Sequence, residues 1–461
     1  MQTKQKEMAT KNKFSSKIGV IAATVGSAVG LGTVWRFPDE VQENGGSVFL
    51  LAYLFCVLLM GIPVMLAEFS LGRGSGADAV GSFKKLTPGK PWWIVGAIAV
   101  VASYLILSFY IVVSGWTLEY LWLSLTGEIS SVPEGVESTA YFSGIMNEAI
   151  TSGFKPVMWT AIMIFLNLFV LLRGVHKGIE RMANLLMPTL FVILVVLCGV
   201  SLSLPGAGEG VDYFLRPDWS KLNANVLISA VGQAFFSLSL GMGILITYSS
   251  YYPSTTRLGR TSVTVSSLVF VVAILMGLII FPAMKSFGIE GKTDGTALIF
   301  VTLPQIFEHM HMTYVWALLF FFLLVVAALT STVSLGEVVI AFLTGKTGMS
   351  RRTACVVIML PLLLLSTVSS LSLGPWSDYT LFGMTIFDLL DYFTANIMLP
   401  LVAIAVCIYV GHVLPKSFLE REMTNNGSMK SRIFPALVFV VRYISPLLIA
   451  IVFINKIIES L

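Results

Sequence analysis

The chain has 461 residues, of which 56% are hydrophobic and 12% are charged, and its net charge at pH 7 is +4. Ordinary soluble domains carry about 25% charged residues, so this composition excludes a soluble globular protein and indicates a polytopic membrane protein. The four cysteines have no paired spacing, which argues against a disulfide framework or a cysteine-bound metal.

Apolar runs long enough to cross a bilayer recur from one end of the chain to the other. They predict eleven membrane spans, at residues 18–40, 48–71, 92–124, 156–173, 183–204, 225–251, 262–284, 313–344, 354–373, 383–413 and 434–458. Most lysines and arginines lie in the N-terminus and in alternate loops. Because basic loops stay in the cytoplasm, this pattern predicts a cytoplasmic N-terminus and a C-terminus outside the cell membrane. The same topology explains the positive net charge without a nucleic-acid partner.

No linker or low-complexity tract divides the chain, so we expect one polytopic domain over residues 1–461. Its expected parts are a cytoplasmic tail at 1–17, a first repeat at 18–204, a second repeat at 225–413 and an eleventh helix at 434–458. Five spans in each half, an odd number, invert the second half relative to the first, as in alternating-access carriers. The first apolar segment has no cleavage site, so no removable signal peptide is expected. The outer loop at 294–312 is expected to cap a vestibule.

Glycines and serines interrupt two of the predicted spans, at residues 26–33 and 237–243. Inside lipid, a backbone that leaves the helix must find new hydrogen-bond partners in protein, water or a ligand. A break exposes carbonyls on one side and N–H groups on the other, a combination that suits a zwitterion. Small residues also serve close helix packing. Two breaks at corresponding positions of two halves favour the substrate site of a transporter.

The residues around the first break resemble the signature of the neurotransmitter:sodium symporter family. The matching segments are 26–38 and 43–46 in and after span 1, 61–63 and 68–73 in span 2, 232–243 and 247–251 in span 6, and 327–331 in span 8. This resemblance extends from residue 13 to span 10. It implies an all-α membrane protein with the LeuT fold, a 5+5 inverted repeat with unwound spans 1 and 6 plus an eleventh helix. It further implies sodium-coupled import of neutral, hydrophobic or aromatic amino acids by alternating access.

The resemblance also implies which groups contact the amino acid. Its carboxylate would meet the backbone N–H groups of Leu31 and Gly32 and the hydroxyl of Tyr110. Its ammonium would meet the carbonyls of Ala28, Phe236 and Ser237 and the hydroxyl of Ser239. Its side chain would lie among Ile106, Phe236, Met242 and Ser331. Gly30 stands where amine-selective relatives carry an aspartate, so the substrate would have to bring its own carboxylate.

One sodium site matches the family pattern. It would consist of the carbonyls of Gly26, Val29 and Ala327 and the hydroxyls of Thr330 and Ser331. Five oxygens suit a hard cation, although a Thr-Ser pair in a membrane helix also serves ordinary interhelical hydrogen bonding.

A second sodium site, made from Ala28, Thr33 and Ser237, departs from the pattern. Thr33 replaces the usual asparagine, and the amide or carboxylate position of span 7 aligns with Leu268 or Val269. No acidic residue occurs at 262–284, and Ala273 stands near the position of the chloride-ligating serine. We therefore expect coupling to one sodium, or only weak binding of the other. Chloride dependence and oligomeric state stay open.

Charged residues within spans indicate function because their burial in lipid is costly. Arg36 and Asp391 match the outer gate pair of the family, with Phe236 as the lid above the substrate. Tyr251 and Lys11 are the inner gate candidates. Lys11 replaces the usual arginine and its acidic partner position aligns with Gly345, so the inner latch is expected to be weak.

Three alternatives differ in class. A substrate-gated channel would need a continuous polar pore, whereas aromatic gates flank these breaks. A membrane enzyme would need a nucleophile or metal constellation, and the four histidines are scattered. A transport-inactive amino-acid sensor would keep the same binding residues, and only uptake measurements separate it from a transporter.

Overall fold

The computed structural model describes residues 13–289, 295–428 and 434–459. Within them, helices connected by short loops account for the predicted spans. Nine continuous helices are long and apolar enough to cross a membrane: Ser47–Ser75, Trp93–Thr126, Phe154–Leu172, Val175–Leu202, Leu258–Ser286, Thr313–Thr347, Arg351–Leu371, Ile386–Val413 and Phe434–Ile458. These are spans 2 to 5 and 7 to 11. Spans 1 and 6 are broken.

Most span ends lie within a few residues of their predicted positions, but span 5 begins at Val175 instead of residue 183. Its first turn, Val175–Glu180, is π-helical and contains charged residues. Hydropathy alone does not detect such a turn, because a charged helix end lies outside the apolar run that defines a span.

Span 1 bends by 58° between Lys17–Ala28 and Gly32–Glu43. Between these helices the Gly30 N–H donates to the carbonyl of Ala28, only two residues back, at 3.0 Å. This contact replaces the usual bond to the fourth preceding residue. The chain therefore unwinds for about one turn at the predicted position.

Span 6 consists of Ala224–Ser237 and Ile244–Ser250. Left-handed backbone at Ser239, Gly241 and Gly243, with φ of 54°, 77° and 72°, interrupts the helix. Glycine adopts this conformation without the steric cost that a Cβ imposes. The Gly241 N–H donates to the buried carboxylate of Glu68 on span 2 at 2.8 Å, so a side chain replaces a helical bond partner.

Spans 3 and 8 pack closely along their lengths and form the centre of the scaffold. Short helices lie between the spans: Ala79–Leu86 between spans 2 and 3, Ser138–Thr151 between 3 and 4, Ala207–Leu215 between 5 and 6, Gly295–Glu308 between 7 and 8, and Lys416–Met423 between 10 and 11. Both breaks face spans 3 and 8, where their unpaired backbone groups are buried.

Candidate functional site

A central cavity of about 30 Å³ lies between the two breaks and spans 3 and 8. Its lining residues are Ser27, Ala28, Gly30, Gly32, Ile106, Tyr110, Phe236, Ser239, Met242, Ile244, Ser331 and Leu335. None of these side chains carries a charge. A volume of this size holds about one water, so an amino acid must displace side chains such as the flexible Met242.

Nine of the predicted substrate residues line this cavity, and two do not. Leu31 lines the larger cavity above it, and Ser237 lies buried behind it. Sequence reasoning missed Ser27, Ile244 and Leu335. Leu335 could have been predicted, because it lies one helical turn beyond Ser331 and therefore on the same face of span 8.

The hydroxyl of Tyr110 lies beside the first break, where it accepts a hydrogen bond from the Leu31 N–H at 2.8 Å. A hydroxyl that accepts through its oxygen keeps its own O–H free to donate. That O–H is available for a carboxylate. Gly30 provides the space, because a Cβ there would lie 2.6 Å from the Tyr110 hydroxyl oxygen.

Ser239 connects the two breaks, since its hydroxyl donates to the carbonyl of Ser27 at 2.9 Å. The Phe236 carbonyl accepts from the Ser239 N–H at 3.1 Å, and the Ala28 carbonyl accepts from the Gly30 N–H at 3.0 Å. The Ala28 carbonyl also accepts from the Thr33 hydroxyl at 3.2 Å, and the Phe236 carbonyl also accepts from the Leu238 N–H. These oxygens, with that of the Ser239 hydroxyl, form a group of acceptors near the cavity that suits an ammonium.

The predicted cage at span 8 brings its hydroxyls against span 1. The Ser331 hydroxyl lies 3.5 Å from the Gly26 carbonyl, and the Thr330 hydroxyl lies 3.1 Å from the Ala327 carbonyl. The Thr330 Cβ also packs against Gly26, where an added Cβ would lie 3.3 Å away. Four of the five predicted oxygens thus form two contacting pairs, and the pair of Thr330 with Ala327 is a hydrogen bond within span 8. The fifth, the Val29 carbonyl, belongs to a buried residue that ends the first helix of span 1.

The oxygens of the other predicted cage have partners within the protein. The Thr33 hydroxyl donates to the Ala28 carbonyl at 3.2 Å, and the Ser237 hydroxyl lies 2.8 Å from that of Tyr53. On span 7, Val269 and Ala273 are fully buried and supply no side-chain oxygen. The polar environment here thus comes from spans 1, 2 and 6.

Gln233 and Tyr53 belong to this polar environment, and sequence reasoning missed both. The Gln233 side-chain amide donates to the Gly32 carbonyl at 2.9 Å, which supports the end of the first break. Its position one helical turn before Ser237 was the available signal.

A second cavity, of about 500 Å³, lies above Phe236 and forms an outer vestibule. Phe236 lines both cavities and separates them. Arg36 and Asp391 both line the vestibule, but the ion pair of Arg36 is with Glu40, at 3.2 Å. The Arg36 guanidinium also lies 5.2 Å from the centre of the Phe236 ring. The predicted gate residues therefore share one cavity without forming an ion pair with each other in this conformation.

The loop between spans 7 and 8 contributes to the vestibule, in agreement with the prediction that it caps one. Gly295 and Thr296 line the cavity, and Trp35 of span 1 makes an edge-to-face contact with Phe300 at 6.3 Å. Residues 290–294 lie outside the described part of the chain.

On the opposite side of the breaks, an ion pair with a buried carboxylate joins spans 8 and 9. The Arg351 guanidinium at the start of span 9 bonds both carboxylate oxygens of Glu337 on span 8. The Tyr251 hydroxyl after span 6 donates to the same carboxylate at 2.8 Å, and Glu337 is fully buried. Tyr251 thus contacts this ion pair, and its role as an inner gate stays a prediction. Glu337 was missed, although an acid within a span is itself a signal of function.

The predicted Lys11 lies outside the described residues. Gly345, where its acidic partner was expected, lies next to another acid. A Cβ at Gly345 would be 2.8 Å from the carboxylate of Asp78, which caps the helix Ala79–Leu86. The fold therefore places a carboxylate from the loop after span 2 where the family pattern has one on span 8.

Comparisons with known proteins agree with this architecture. The chain matches the family model described as the sodium:neurotransmitter symporter family over residues 11–134 and 137–460. It is 35% identical over 445 residues to the sodium-dependent transporter YhdH of Bacillus subtilis, covering 96% of this chain and 97% of the relative. It is 34% identical over 465 residues to a sodium-dependent transporter of Haemophilus influenzae, covering 97% and 100%.

Among solved structures, the chain is similar to MhsT, which was crystallised in complex with L-phenylalanine. The TM-score is 0.88 at 40% sequence identity, and the match covers 96% of this chain and 99% of MhsT. MhsT has the LeuT fold, so the predicted fold class is confirmed. The members of the family are transporters and not enzymes. The chain therefore belongs to the sodium:neurotransmitter symporter family and is a sodium-dependent, multi-pass membrane transporter.

Proposed function

We propose that this protein imports neutral, hydrophobic or aromatic amino acids together with sodium. The observation that carries the proposal is the uncharged lining of the central cavity between two unwound helices. Backbone groups and hydroxyls there can satisfy a carboxylate and an ammonium, while Ile106, Met242, Ile244 and Leu335 provide an apolar wall. A charged side chain in such a site would have no partner, and that burial is costly. The L-phenylalanine in the MhsT structure is consistent with this class.

Gly30 supports an amino acid over a simple amine. The Tyr110 hydroxyl lies beside it, accepts from the Leu31 N–H and keeps its own O–H to donate to a carboxylate. An acid at position 30 would supply that carboxylate itself, but its Cβ would overlap the Ser331 hydroxyl oxygen and lie 2.6 Å from that of Tyr110. The substrate's own carboxylate therefore completes the site.

We further propose that transport couples mainly to one sodium, held by Gly26, Val29, Ala327, Thr330 and Ser331. The set made from Ala28, Thr33 and Ser237 lacks oxygen ligands from the side chains of Val269 and Ala273 on span 7. Hard cations bind through several oxygens at once, so this set should hold sodium weakly. The remaining ligand there would be the substrate carboxylate.

The proposed cycle has the N-terminus in the cytoplasm and the C-terminus outside. Spans 1, 2, 6 and 7 rock against the scaffold of spans 3, 4, 8 and 9. The vestibule above Phe236 then faces outward, and the Glu337–Arg351 pair lies at the cytoplasmic side. The positive-inside distribution of lysine and arginine supports this orientation.

A thermal-shift screen of the twenty amino acids, each with and without sodium, tests the proposed substrate class. A ligand that binds the folded state stabilises it in proportion to the logarithm of its concentration over Kd. We expect the largest shifts with hydrophobic or aromatic amino acids, and only with sodium present. Larger shifts with charged amino acids or with amines would contradict the proposal.

Uptake of the best ligand into proteoliposomes then separates a transporter from a sensor. Accumulation that depends on an inward sodium gradient is expected. A sodium titration of substrate binding should give a Hill coefficient near one; a value near two would contradict the proposed one-sodium coupling.

A further inference from the structure

The inner face, which carries residues 13–17, has a basic pocket between the start of span 1 and the start of span 5. The pocket has a volume of about 440 Å³ and is lined by Ser15, His176, Lys177, Glu180, Arg181 and Asn184. Lys17 does not line the pocket, but it is exposed and follows the lining residue Ser15 by two positions. No ion pair involves Lys17, Lys177 or Arg181 among the described residues.

The acidic side chain of this pocket, Glu180, already accepts hydrogen bonds from within the protein. Glu180 accepts from the backbone N–H groups and hydroxyls of Ser15 and Ser16 and lies 2.7 Å from His176. Its side chain is 2% exposed. The Glu180 carboxylate therefore fastens span 1 to span 5 and faces inward, while the exposed face of the pocket is cationic.

The close fit of span 1 on Glu180 depends on Gly19. A Cβ at Gly19 would lie 2.5 Å from the Glu180 carboxyl carbon. The Ser16 hydroxyl accepts from the Gly19 N–H at 2.9 Å and so caps the helix that starts at Lys17. Helix start, serines and carboxylate thus form one packed unit that positions Lys17 near the basic residues of span 5.

Apolar side chains continue from this basic rim toward the bilayer. Ile18, next to Lys17, is 74% exposed, and Leu185, one turn after Arg181, is 68% exposed. Both residues lie near the ends of membrane spans, where exposed apolar surface would contact lipid chains. The surface is therefore cationic at the edge of the span and apolar beyond it, which is the polarity of a phospholipid.

We propose that this pocket binds the phosphate headgroup of an anionic phospholipid of the inner leaflet. Lys17, Lys177 and Arg181 would contact the phosphate, with arginine suited to bidentate contact and lysine to a point charge. The acyl chains would pack along Ile18 and Leu185. Because the lipid contacts span 1 and span 5 together, it stabilises the inner-closed arrangement in which Ser15 and Ser16 bond Glu180.

Native mass spectrometry of the purified full-length protein, titrated with phosphatidylglycerol or phosphatidylcholine, tests this proposal. We expect preferential binding of phosphatidylglycerol that weakens as salt is added, because exposed charges are screened. Each basic residue near an anionic lipid contributes roughly fivefold in affinity. The triple variant K17Q/K177Q/R181Q should therefore lose at least about tenfold in phosphatidylglycerol affinity and keep its phosphatidylcholine binding.

The control variant R257Q/R260Q/K416Q removes three exposed basic residues outside the pocket and should lose clearly less phosphatidylglycerol affinity than K17Q/K177Q/R181Q. The charge-retaining variant K17R/K177R/R181K should bind like the wild type. That result would show that the glutamine variant loses affinity through its missing charges and not through substitution at these positions. An equal loss in the control, or no loss in K17Q/K177Q/R181Q, would overturn the proposal. Displacement of the lipid by inorganic phosphate at similar concentration would assign the pocket to a free anion and overturn the lipid assignment. Lipid binding and its displacement by phosphate are both measured without transport, so the result does not depend on the proposed substrate.

Discussion

The two sides of the broken spans are held in different ways. On the side proposed to be cytoplasmic, polar contacts to two buried carboxylates fasten them: Tyr251 bonds the Glu337–Arg351 pair, and Ser15 and Ser16 bond Glu180. On the outer side, Arg36 pairs within its own helix and faces a cavity of about 500 Å³.

This difference indicates which contacts must break when a substrate enters from one side or leaves on the other. Entry from outside requires displacement of one aromatic lid, Phe236. Exit to the inside requires that the hydrogen bonds of Ser15 and Ser16 to Glu180 break. Tyr251 must also separate from its ion pair. The structure is therefore outward-facing with a closed lid in the proposed orientation, and its inner side is the more strongly held.

Removal of one partner of the buried pair should have the largest effect on this asymmetry. Glu337→Ala leaves the Arg351 guanidinium without its carboxylate, a change that costs about 3–5 kcal/mol for a buried pair. We expect a large drop in melting temperature and loss of uptake in proteoliposomes. The double variant E337M/R351M should recover part of the stability, because no uncompensated charge remains. Wild-type melting and uptake in Glu337→Ala would show that the pair does not hold the inner side closed.

Filling the space beside Gly30 should weaken amino-acid binding in the central cavity and leave the outer vestibule unchanged. Gly30→Ala adds a Cβ that would lie 2.6 Å from the Tyr110 hydroxyl, so the carboxylate position is distorted. Loss of about 1.4 kcal/mol or more of binding energy corresponds to at least a tenfold weaker amino-acid affinity, measured by thermal shift. Gly232→Ala is the matched control, since a Cβ there meets nothing within 4 Å. Equal affinities in both variants would argue against a carboxylate position beside Gly30.

A pair of threonine variants compares the two proposed cation sets across the first break. Thr330→Val removes a hydroxyl on the inner side, and we expect the apparent sodium affinity to fall about tenfold, or roughly 1.4 kcal/mol. Thr33→Val removes one on the outer side and should change it less than about threefold. Sodium dependence of the substrate-induced thermal shift measures both. The reverse order would assign the main sodium to the Ala28, Thr33 and Ser237 set.

The smallest effect is expected from Lys11→Ala. Position 345, its expected partner, is a glycine, and Glu337 with Arg351 already holds the inner side. Uptake should stay within about twofold of the wild type, which is about 0.4 kcal/mol, because the expected partner position carries no acid. A severe loss would point to another partner, and Asp78→Asn then tests the carboxylate that lies next to Gly345.

The sequence alone predicted the spans, both breaks and most of the central site. These features are local: an apolar run long enough to cross lipid needs no partner to be recognised, and a glycine-rich interruption weakens the helix wherever it packs. The resemblance to the family then related the breaks to particular side chains, such as Tyr110 and Ser331. Both of these line the central cavity.

Contacts between distant segments were decided only by the tertiary structure. The sequence placed Arg36 with Asp391, whereas the structure pairs it with Glu40. It found a glycine at position 345, where the family pattern has the inner acid, whereas the fold supplies Glu337 for Arg351 and brings Asp78 next to Gly345. A charged group takes whichever partner the packing brings within reach, and packing follows from the shapes of whole helices. Hydropathy and motifs located the breaks, but which side of them is held closed follows from ion pairs that only the folded chain creates.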